Sequence, residues 1–450
     1  MRTDQSTPLD QATDASAALI GLIQSGGARV GVIGQGYVGL PLAMTMVSAG
    51  LDVTGYDIDQ RKIDSLLAGK SYIDDVSDKV LQECLQSGRF HPRASFDDLS
   101  EMDAISICVP TPLSKTRDPD ISFILTAARE VAERLRPGQL IVLESTTYPG
   151  STDELLLPVF EEKGLVVGED FFLCFSPERV DPGNLSFDIR NTPRLVGGIT
   201  DSCTAVGCAL YNTFLTTVVP MSSTRAAEMA KLLENTFRAV NIGLVNEVAL
   251  MCRKLGLDTW EVIDAAATKP FGFMKFYPGP GLGGHCIPVD PHYLSWILKT
   301  LNYRARFIEL AAEVNTSMPA HVVELVSESL NEDSKSVRGS RVLILGVSYK
   351  ANVSDTRESP ALDVIQLLIA RGAEIRYHDP HVPHLELVSG ELLASESLGE
   401  EMLSSFDCVV VTADHAAIDW ELVARKSVAI VDCRNALAGV DSPAGRIHKL

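Results

Sequence analysis

The chain opens polar. Residues 1–27 carry a single short apolar patch, Ala17 to Ile23, that fits a short helix or a frayed leader. From Ala28 the pattern changes to short apolar runs separated by amphipathic stretches. Ala28 to Ile33 is a run of the kind a buried parallel strand shows. A glycine-rich turn comes next, then a helical pattern through Leu42, Met46 and Ala49. Asp52 to Tyr56 predicts the next strand, ending at Asp57. Further strands are expected at Ala104–Val109, Leu140–Glu144 and Phe171–Phe175, with helices between them such as Ile124–Leu135. Strands alternating with helices imply a parallel, doubly wound sheet.

From Ser222 to Gly256 the pattern is one long helix, with Ser222, Ser223 and Thr224 offering capping oxygens and Gly256 a C′ position. At 1.5 Å per residue it approaches ~50 Å, the length of a spine rather than of a crossover helix. Helices are expected next around Pro291–Leu301 and Phe307–Asn331. Near Arg341 the α/β rhythm restarts: strands at Val342–Leu345, Glu374–Tyr377, Cys408–Val411 and Val428–Val431, and a helix over Pro360–Arg371 closed by Gly372. The expected architecture is α/β: two Rossmann-like, doubly wound parallel sheets joined by a long central helix and a helical middle region. The boundaries read as a leader over 1–27, a dinucleotide domain over 28–220, a helical domain over 221–332 and a second Rossmann-like domain over 333–450. The two α/β halves are a distant architectural echo at most.

Composition narrows the class. The 450 residues hold 39 basic and 59 acidic side chains, a net charge of −20, with 46% hydrophobic and 22% charged residues. That is a globular balance, which excludes general disorder. An acidic chain argues against nucleic acid as a partner, and no run of about 18 apolar residues argues for a membrane span. The first 28 residues contain one arginine and no basic, apolar and cleavage-site succession, so they do not read as a signal peptide. Nine cysteines without a CxxC pair fit a reducing cytoplasm and no metal site.

Two stretches carry chemistry. Gly34-Gln35-Gly36-Tyr37-Val38-Gly39 comes after a strand and opens a helix, and Asp57 ends the next strand. The glycines allow a tight turn, close approach of pyrophosphate and helix–strand packing. The acidic residue can accept both ribose hydroxyls, favouring NAD over NADP. Arg61, one turn further on, either reaches the cofactor or pairs with Asp57 or Asp64. The second stretch is 269–292, KPFGFMKFYPGPGLGGHCIPVDPH. From Pro278 to Gly284 every residue but Leu282 is glycine or proline, which demands an irregular loop. Cys286 comes directly after it, with Asp290 four residues on. A thiol near positive charge or a helix start is a good nucleophile, whereas Cys108 and Cys408 in strand cores read as small hydrophobes. Lys231 and Asn235 share a face of the long helix with Glu228. They can hold an oxyanion and a water, or they belong to an ordinary solvated face with a Glu228–Lys231 pair.

These segments occur with others in a fixed order: GQGYVGLPLA, Asp57, CVPTPL (108–113), ESTTYPG (144–150), SPERVDPGN (176–184), EMAKLLEN (228–235), GLGGHCIPVDP (281–291) and GVSYKANVSDTRESPALDVI (346–365). Together, from about residue 29 to 435, they resemble the nucleotide-sugar 6-dehydrogenases of the UDP-glucose/GDP-mannose dehydrogenase family. The resemblance implies oxidation of C6 of a nucleotide-bound sugar to a carboxylate with two NAD. It implies that Cys286 forms a thiohemiacetal and then a thioester. Lys231 and Asn235 would stabilise the oxyanion, Asp290 would assist proton transfer, and Thr147 and Glu178 would order water and contact substrate. It assigns Gly34, Gln35, Gly36, Tyr37, Val38, Gly39, Asp57, Arg61, Thr111, Thr147 and Arg357 to the cofactor. Glu178, Arg179, Lys231, Asn235, Tyr277, Gly281, Gly284 and Lys350 fall to the nucleotide sugar, and Lys350 and Arg357 would reach in from the second sheet. The long helix suggests a homodimer, and a role in polysaccharide biosynthesis is expected.

Departures point to a branch. A second family glutamate is replaced by Pro182, and the segment 285–290 lacks the lysine that often precedes the aspartate. The proline-rich loop resembles the UDP-N-acetylglucosamine branch, acting on that or a related UDP-N-acetylhexosamine. The alternatives are UDP-glucose or dTDP-glucose oxidation. A two-electron dehydrogenase of the 6-phosphogluconate type has no use for the thiol, and a catalytically dead sensor would lack one of Cys286, Lys231 or Asp290.

Overall fold

The computed structural model describes residues 14–114, 118–181, 184, 186–284, 286–441 and 443–450. Residues 1–13 of the leader, Pro182 and His285 lie outside the described residues. The chain divides into two compact units, Met1–Glu234 and Asn235–Leu450, and the division falls within one long helix.

The first unit begins with helix α1 (Asp14–Gln24). Leu19 and Ile23 on its inner face are buried in the same apolar cluster as Leu210 and Phe214, so this part of the polar leader is an integral helix. Then come β1 (Arg29–Ile33), α2 (Gly39–Ser48), β2 (Asp52–Tyr56), α3 (Gln60–Leu67), α4 (Asp78–Gln86), β3 (Phe90–Arg93), β4 (Ala104–Ile107), α5 (Ser122–Glu133), β5 (Leu140–Leu143), α6 (Leu157–Glu161), β6 (Phe172–Phe175), β7 (Arg194–Gly198), α7 (Asp201–Tyr211) and β8 (Val218–Met221). The eight strands form one sheet in the order β3-β2-β1-β4-β5-β6-β7-β8. The order reverses between β1 and β4, which puts the binding crevice at their carboxyl ends.

The sheet is not wholly parallel, as the sequence pattern suggested: β6 and β7 run antiparallel. The described residues of the segment joining them carry no crossover helix, and the chain turns back at the carboxyl end of β6 and re-enters the sheet from there. That reversal puts Arg194, the first residue of β7, at the same end of the sheet as Glu144 after β5 and Glu178 after β6.

Helix α8 (Thr224–Leu255) starts where Ser223 Oγ accepts the Ala226 N–H and ends before Gly256, whose φ is +68°. The second unit continues with α9 (Thr259–Ala267), α10 (Asp290–Thr300), α11 (Arg306–Glu332), β9 (Arg341–Leu345), α12 (Pro360–Ala370), β10 (Glu374–His378), a hairpin of β11 (His384–Glu386) and β12 (Leu392–Ala394), α13 (Glu400–Ser404), β13 (Cys408–Val411), α14 (Trp420–Lys426), β14 (Ala429–Asp432) and β15 (Arg446–Lys449). Its main sheet has the order β10-β9-β13-β14-β15, all parallel, with the reversal between β9 and β13. β9, β13 and β14 are fully buried apart from Arg341, as strands covered on both faces must be.

Candidate active site

In the first unit, the turn after β1 is built to admit a ligand. Gly34 has φ +92°, and a Cβ there would lie 2.5 Å from the Cys108 carbonyl oxygen. A Cβ on Gly39 would lie 1.9 Å from the Gly34 oxygen, so neither position tolerates a side chain. Gly36 differs: nothing lies within 4 Å of its Cβ position, leaving open space at the start of α2, where free N–H groups favour phosphate. Asp57 is buried at the end of β2. Its Oδ2 accepts the Gln35 N–H at 2.9 Å and an ion pair from Lys62 at 2.9 Å, and its Oδ1 accepts the Asp59 N–H. Gln35 is enclosed: its Nε2 donates to the Val32 oxygen, and Tyr72 Oη donates to its carbonyl. An open phosphate cradle beside a buried carboxylate fits NAD.

Arg61 pairs with neither Asp57 nor Asp64. It folds back on Asp59, the capping residue of α3, with its side chain 91% exposed, and it is Lys62 that meets Asp57. Tyr37 is exposed and Thr111 is buried beside the same crevice-forming loops.

At the carboxyl end of the same sheet lies a buried ionic cluster that sequence reasoning missed. Arg194 is 3% exposed and is held between Glu144 and Glu178 Oε2, the latter at 2.8 Å. Tyr211 donates its hydroxyl to Glu144. Glu178 Oε1 accepts the N–H groups of Arg179 and Val180. Burial pushes the Glu144 carboxyl up, against the Arg194 charge. At Glu178 burial is outweighed by the Arg194 charge and hydrogen bonds, which hold the group below its ordinary value. Burial would lower the Arg194 guanidinium, but the two carboxylates hold it above its usual value. Arg179 itself bridges to Glu234 at 2.6 Å and to the Pro193 oxygen. Thr147 is 1% exposed, and its hydroxyl has no hydrogen-bond partner among the described residues.

Glu228 does not pair with Lys231. It is fully buried and accepts from Gly150 N–H, Ser151 Oγ, Thr152 N–H and Thr152 Oγ1, at 2.6 to 3.0 Å. Its carboxyl is raised by burial against these bonds. The glutamate thereby fixes the loop that carries Thr147. Lys231, one turn further along α8, is buried and makes no hydrogen bond or ion pair to a described residue.

The second unit presents the thiol. Of nine free cysteines, seven are buried, Cys208 is half-buried, and only Cys286 is exposed. Its carbonyl accepts the N–H groups of Val289 and Asp290, forming the turn that starts α10. Asn235 Nδ2 donates to Asp290 Oδ2 at 2.5 Å, with both residues buried, so Asn235, Asp290 and the Cys286 turn are brought together. The glycine loop ahead of Cys286 is held closely. Asn246 Oδ1 accepts the Gly279 N–H at 2.9 Å, and Asn246 in turn donates to Asn315. A Cβ on Gly283 or Gly284 would meet the Tyr349 side chain at 2.6 or 2.8 Å, and one on Gly281 would meet Pro360 at 2.9 Å. Lys350, next to Tyr349 in the chain, is half-buried. Arg357 pairs with Asp355, and its carbonyl accepts the Gly284 N–H. Tyr277 donates to Asp264 on α9.

Arg434, after β14, was also missed. Its Nε donates to the Thr412 carbonyl at 3.0 Å, and a Cβ on Gly279 would lie 2.4 Å from its Nη1. It makes no ion pair among the described residues, and burial pulls its guanidinium below the usual value. An arginine with no ion-pair partner among the described residues, at the crevice end of a parallel sheet, suits a phosphate. Nothing in its sequence setting, Asp432-Cys433-Arg434-Asn435, distinguishes it from a surface arginine. Among the described residues, no group of three or more metal-ligating side chains occurs and no helix is long and apolar enough to cross a membrane.

The first sheet, its open glycine turn and the carboxylate of Asp57 have the form of a dinucleotide-binding domain. Known proteins give the rest. Residues 28–215 match the NAD binding domain of the UDP-glucose/GDP-mannose dehydrogenase family, 225–317 its central domain and 343–439 its UDP binding domain. The UDP-N-acetyl-D-mannosamine dehydrogenase of Pyrococcus horikoshii is 34% identical over 428 residues, covering 94% of this chain and 98% of that protein. A solved structure of the UDP-D-ManNAc dehydrogenase from the same organism superposes with a TM-score of 0.85 at 33% identity, covering 94% and 98% of the two chains. The UDP-N-acetyl-D-glucosamine 6-dehydrogenase of Pseudomonas aeruginosa is 34% identical over 79% of this chain and 83% of its own. The chain belongs to the UDP-glucose/GDP-mannose dehydrogenase family and is an NAD-dependent nucleotide-sugar dehydrogenase.

Proposed function

We propose that the protein oxidises C6 of a UDP-N-acetylhexosamine, UDP-N-acetylglucosamine foremost, from alcohol to carboxylate through a thioester on Cys286. The observation that carries this reading is the single exposed cysteine, seated on a packed glycine loop with the Asn235–Asp290 pair behind it. The Gly34–Gly39 turn and Asp57 would hold NAD, which would supply the two hydride acceptors the reaction needs. Cys286 Sγ adds to the C6 aldehyde and retains it as a thiohemiacetal, so that no free aldehyde is released. Removal of the second hydride leaves a thioester, and water releases the carboxylate and restores the thiol. Lys231 and Asn235 stabilise the oxygen on C6 as charge develops there. Asp290 assists proton transfer, taking up the proton lost when the C6 alcohol is oxidised or when water attacks the thioester. Thr147, with an unused buried hydroxyl, and Glu178, anchored and ionised, orient water rather than move far. Arg179, Tyr277, Gly281, Gly284, Lys350 and Arg434 serve the nucleotide sugar. Thr111 and Arg357 complete the cofactor site, with Arg61 at its margin.

The organisation inferred is a dinucleotide domain to about residue 220, a helical stretch to about 332 and a UDP-binding domain beyond. The same reading makes the protein a cytoplasmic homodimer in polysaccharide biosynthesis. Nine free cysteines suit a reducing compartment, and Met229, Leu233, Phe237, Leu244, Met251 and Leu255 leave an exposed apolar stripe along α8 suited to a second copy. The test is Cys286→Ala, expected to bind NADH and UDP normally while losing turnover by at least about a thousandfold. Native turnover by that variant contradicts the covalent route. A panel of UDP- and dTDP-sugars, compared by kcat/KM, tests the sugar: UDP-N-acetylhexosamines should lead, and preference for UDP-glucose would reassign the branch.

A further inference from the structure

The crevice of the second sheet contains a buried histidine that neither the motifs nor the mechanism uses. His415, in the loop after β13, is 0% exposed. Its Nδ1 faces the backbone N–H of Asn352 at 3.0 Å. A backbone N–H can only donate, so Nδ1 is the acceptor and the ring proton sits on Nε2. Nε2 lies 3.1 Å from Asp379 Oδ2 and 3.3 Å from Ser348 Oγ. Asp379, after β10, also accepts the N–H groups of Val347 and Ser348 on Oδ2 and of His381 on Oδ1. The His381 ring packs against His415 with centroids 5.1 Å apart. Asn352 has φ +63° and returns the connection: its Oδ1 accepts the Ala416 N–H at 2.8 Å.

Apart from the local His381–Asp379 bond and the His415–Asp379 pair, which joins the loops after β10 and β13, these bonds cross between the loop after β9 (346–352) and the loops after β10 and β13. β9 and β13 are the pair between which the strand order reverses, so the bonds tie together the two lips of the crevice. Between Ser348 and Asn352 lie Tyr349, which packs on Gly283 and Gly284, and Lys350. We propose that His415 is a positioning residue for nucleotide binding. Its neutral imidazole, paired with Asp379, clamps the 346–352 loop to the 412–416 loop, so that Tyr349 and Lys350 are held in place for the uridine diphosphate before it arrives. The clamp rests on the reading of this crevice as the UDP site. It adds a residue to that reading and states what the residue does: it contributes pre-organisation, not a contact with the ligand.

The test is UDP affinity by calorimetry on the full chain, with NADH affinity as the control for a folded first unit. His415→Leu removes the acceptor and is expected to weaken UDP by about tenfold or more, because the Asn352 N–H loses its buried partner. His415→Asn, whose Oδ1 can take the place of Nδ1, should recover affinity to within about threefold of native. Asn352→Gly keeps the left-handed backbone but removes the bond to Ala416, and should weaken UDP by about fivefold. In turnover, KM for the nucleotide sugar should rise in each weakened variant while kcat stays near native. This is a split that a general loss of packing would not give. Native UDP affinity in Asn352→Gly and in folded His415→Leu would overturn the clamp alone. Absence of UDP binding by the unaltered protein would overturn the nucleotide reading, and the clamp with it.

Discussion

The two sheets begin with the same device and then part. In each, an aspartate at the end of the second strand reaches back to hold the turn after the first. Asp57 accepts the Gln35 N–H, and Asp379 accepts those of Val347 and Ser348. Each turn starts on a glycine of positive φ, Gly34 at +92° and Gly346 at +83°, packed so closely on the next loop that a Cβ would clash. The two turns differ beyond that glycine. The first continues with Gly36 over open space, and its aspartate is met by the half-exposed Lys62. The second continues with Ser348 and Tyr349, and its aspartate is met by the buried His415. A turn left open beside a carboxylate accepts a dinucleotide across itself. A turn filled by side chains and locked from below can only serve as a fixed wall, and the ligand's charge then has to be met by residues such as Lys350 and Arg434.

The largest separation between the halves should come from the two aspartates. Asp379→Ala leaves His415 and three N–H groups without their acceptor, and should cost about 3–5 kcal/mol of stability by urea unfolding. Asp57→Ala should leave stability much closer to native but weaken NADH by at least about tenfold, with UDP affinity unchanged. If both variants simply unfolded, the contrast would disappear. Next, Gly36→Ala should leave the melting temperature within about a degree of native yet weaken NADH by about tenfold, since the methyl fills space meant for phosphate. An unchanged NADH affinity there would place the pyrophosphate elsewhere.

Acid should also separate the halves. Burial works against the Asp379 carboxylate, but bonds from His415 and the N–H groups of His381 and Val347 hold it below the ordinary range. A carboxyl lowered in the folded state stabilises fully above its unfolded value near ~3.9, and that contribution is lost as pH falls through the lower folded value. Urea midpoints measured from pH 6 to pH 3 should therefore fall more steeply in the native protein than in Asp379→Asn, with the divergence confined to below about pH 4. Parallel curves would contradict the shift. The smallest effect belongs to Lys62→Met. Its ion pair is half-exposed and worth less than about 1 kcal/mol. Stability should hardly change, while the preference for NADH over NADPH should rise a few-fold, because Asp57 loses the cation that tempers its repulsion of a 2′-phosphate.

Most of the interior strands were legible because in both sheets they are short, apolar runs. The strands that escaped are edges or exceptions. β3 contains Pro92 and polar residues, β8 is half-exposed with Pro220, and β15 reads Arg-Ile-His-Lys. An edge strand buries too little to leave an apolar signature. β7 escaped although it is fully buried, since it opens on Arg194 and ends in two glycines. The cofactor turn, the glycine loop and Cys286 were legible because their chemistry demands unusual local sequence. The Glu144–Arg194–Glu178 cluster was not, because its members come from three strand ends that only the antiparallel return of β7 brings together. Helix phase misled at two points. Glu228 and Lys231 share a face, but Glu228 is taken by the 150–152 turn. Arg61 and Lys62 are adjacent, and capping by Asp59 draws Arg61 away, leaving Lys62 to Asp57.

The central claim is a four-electron oxidation retained on one cysteine. It is tested most directly by counting NADH formed per nucleotide sugar consumed, with UDP-N-acetylglucosamine as substrate and the product identified by mass. Two NADH per sugar, with a uronate product and no released aldehyde, is the result expected. One NADH per sugar, with an aldehyde or ketone as product, would contradict the account.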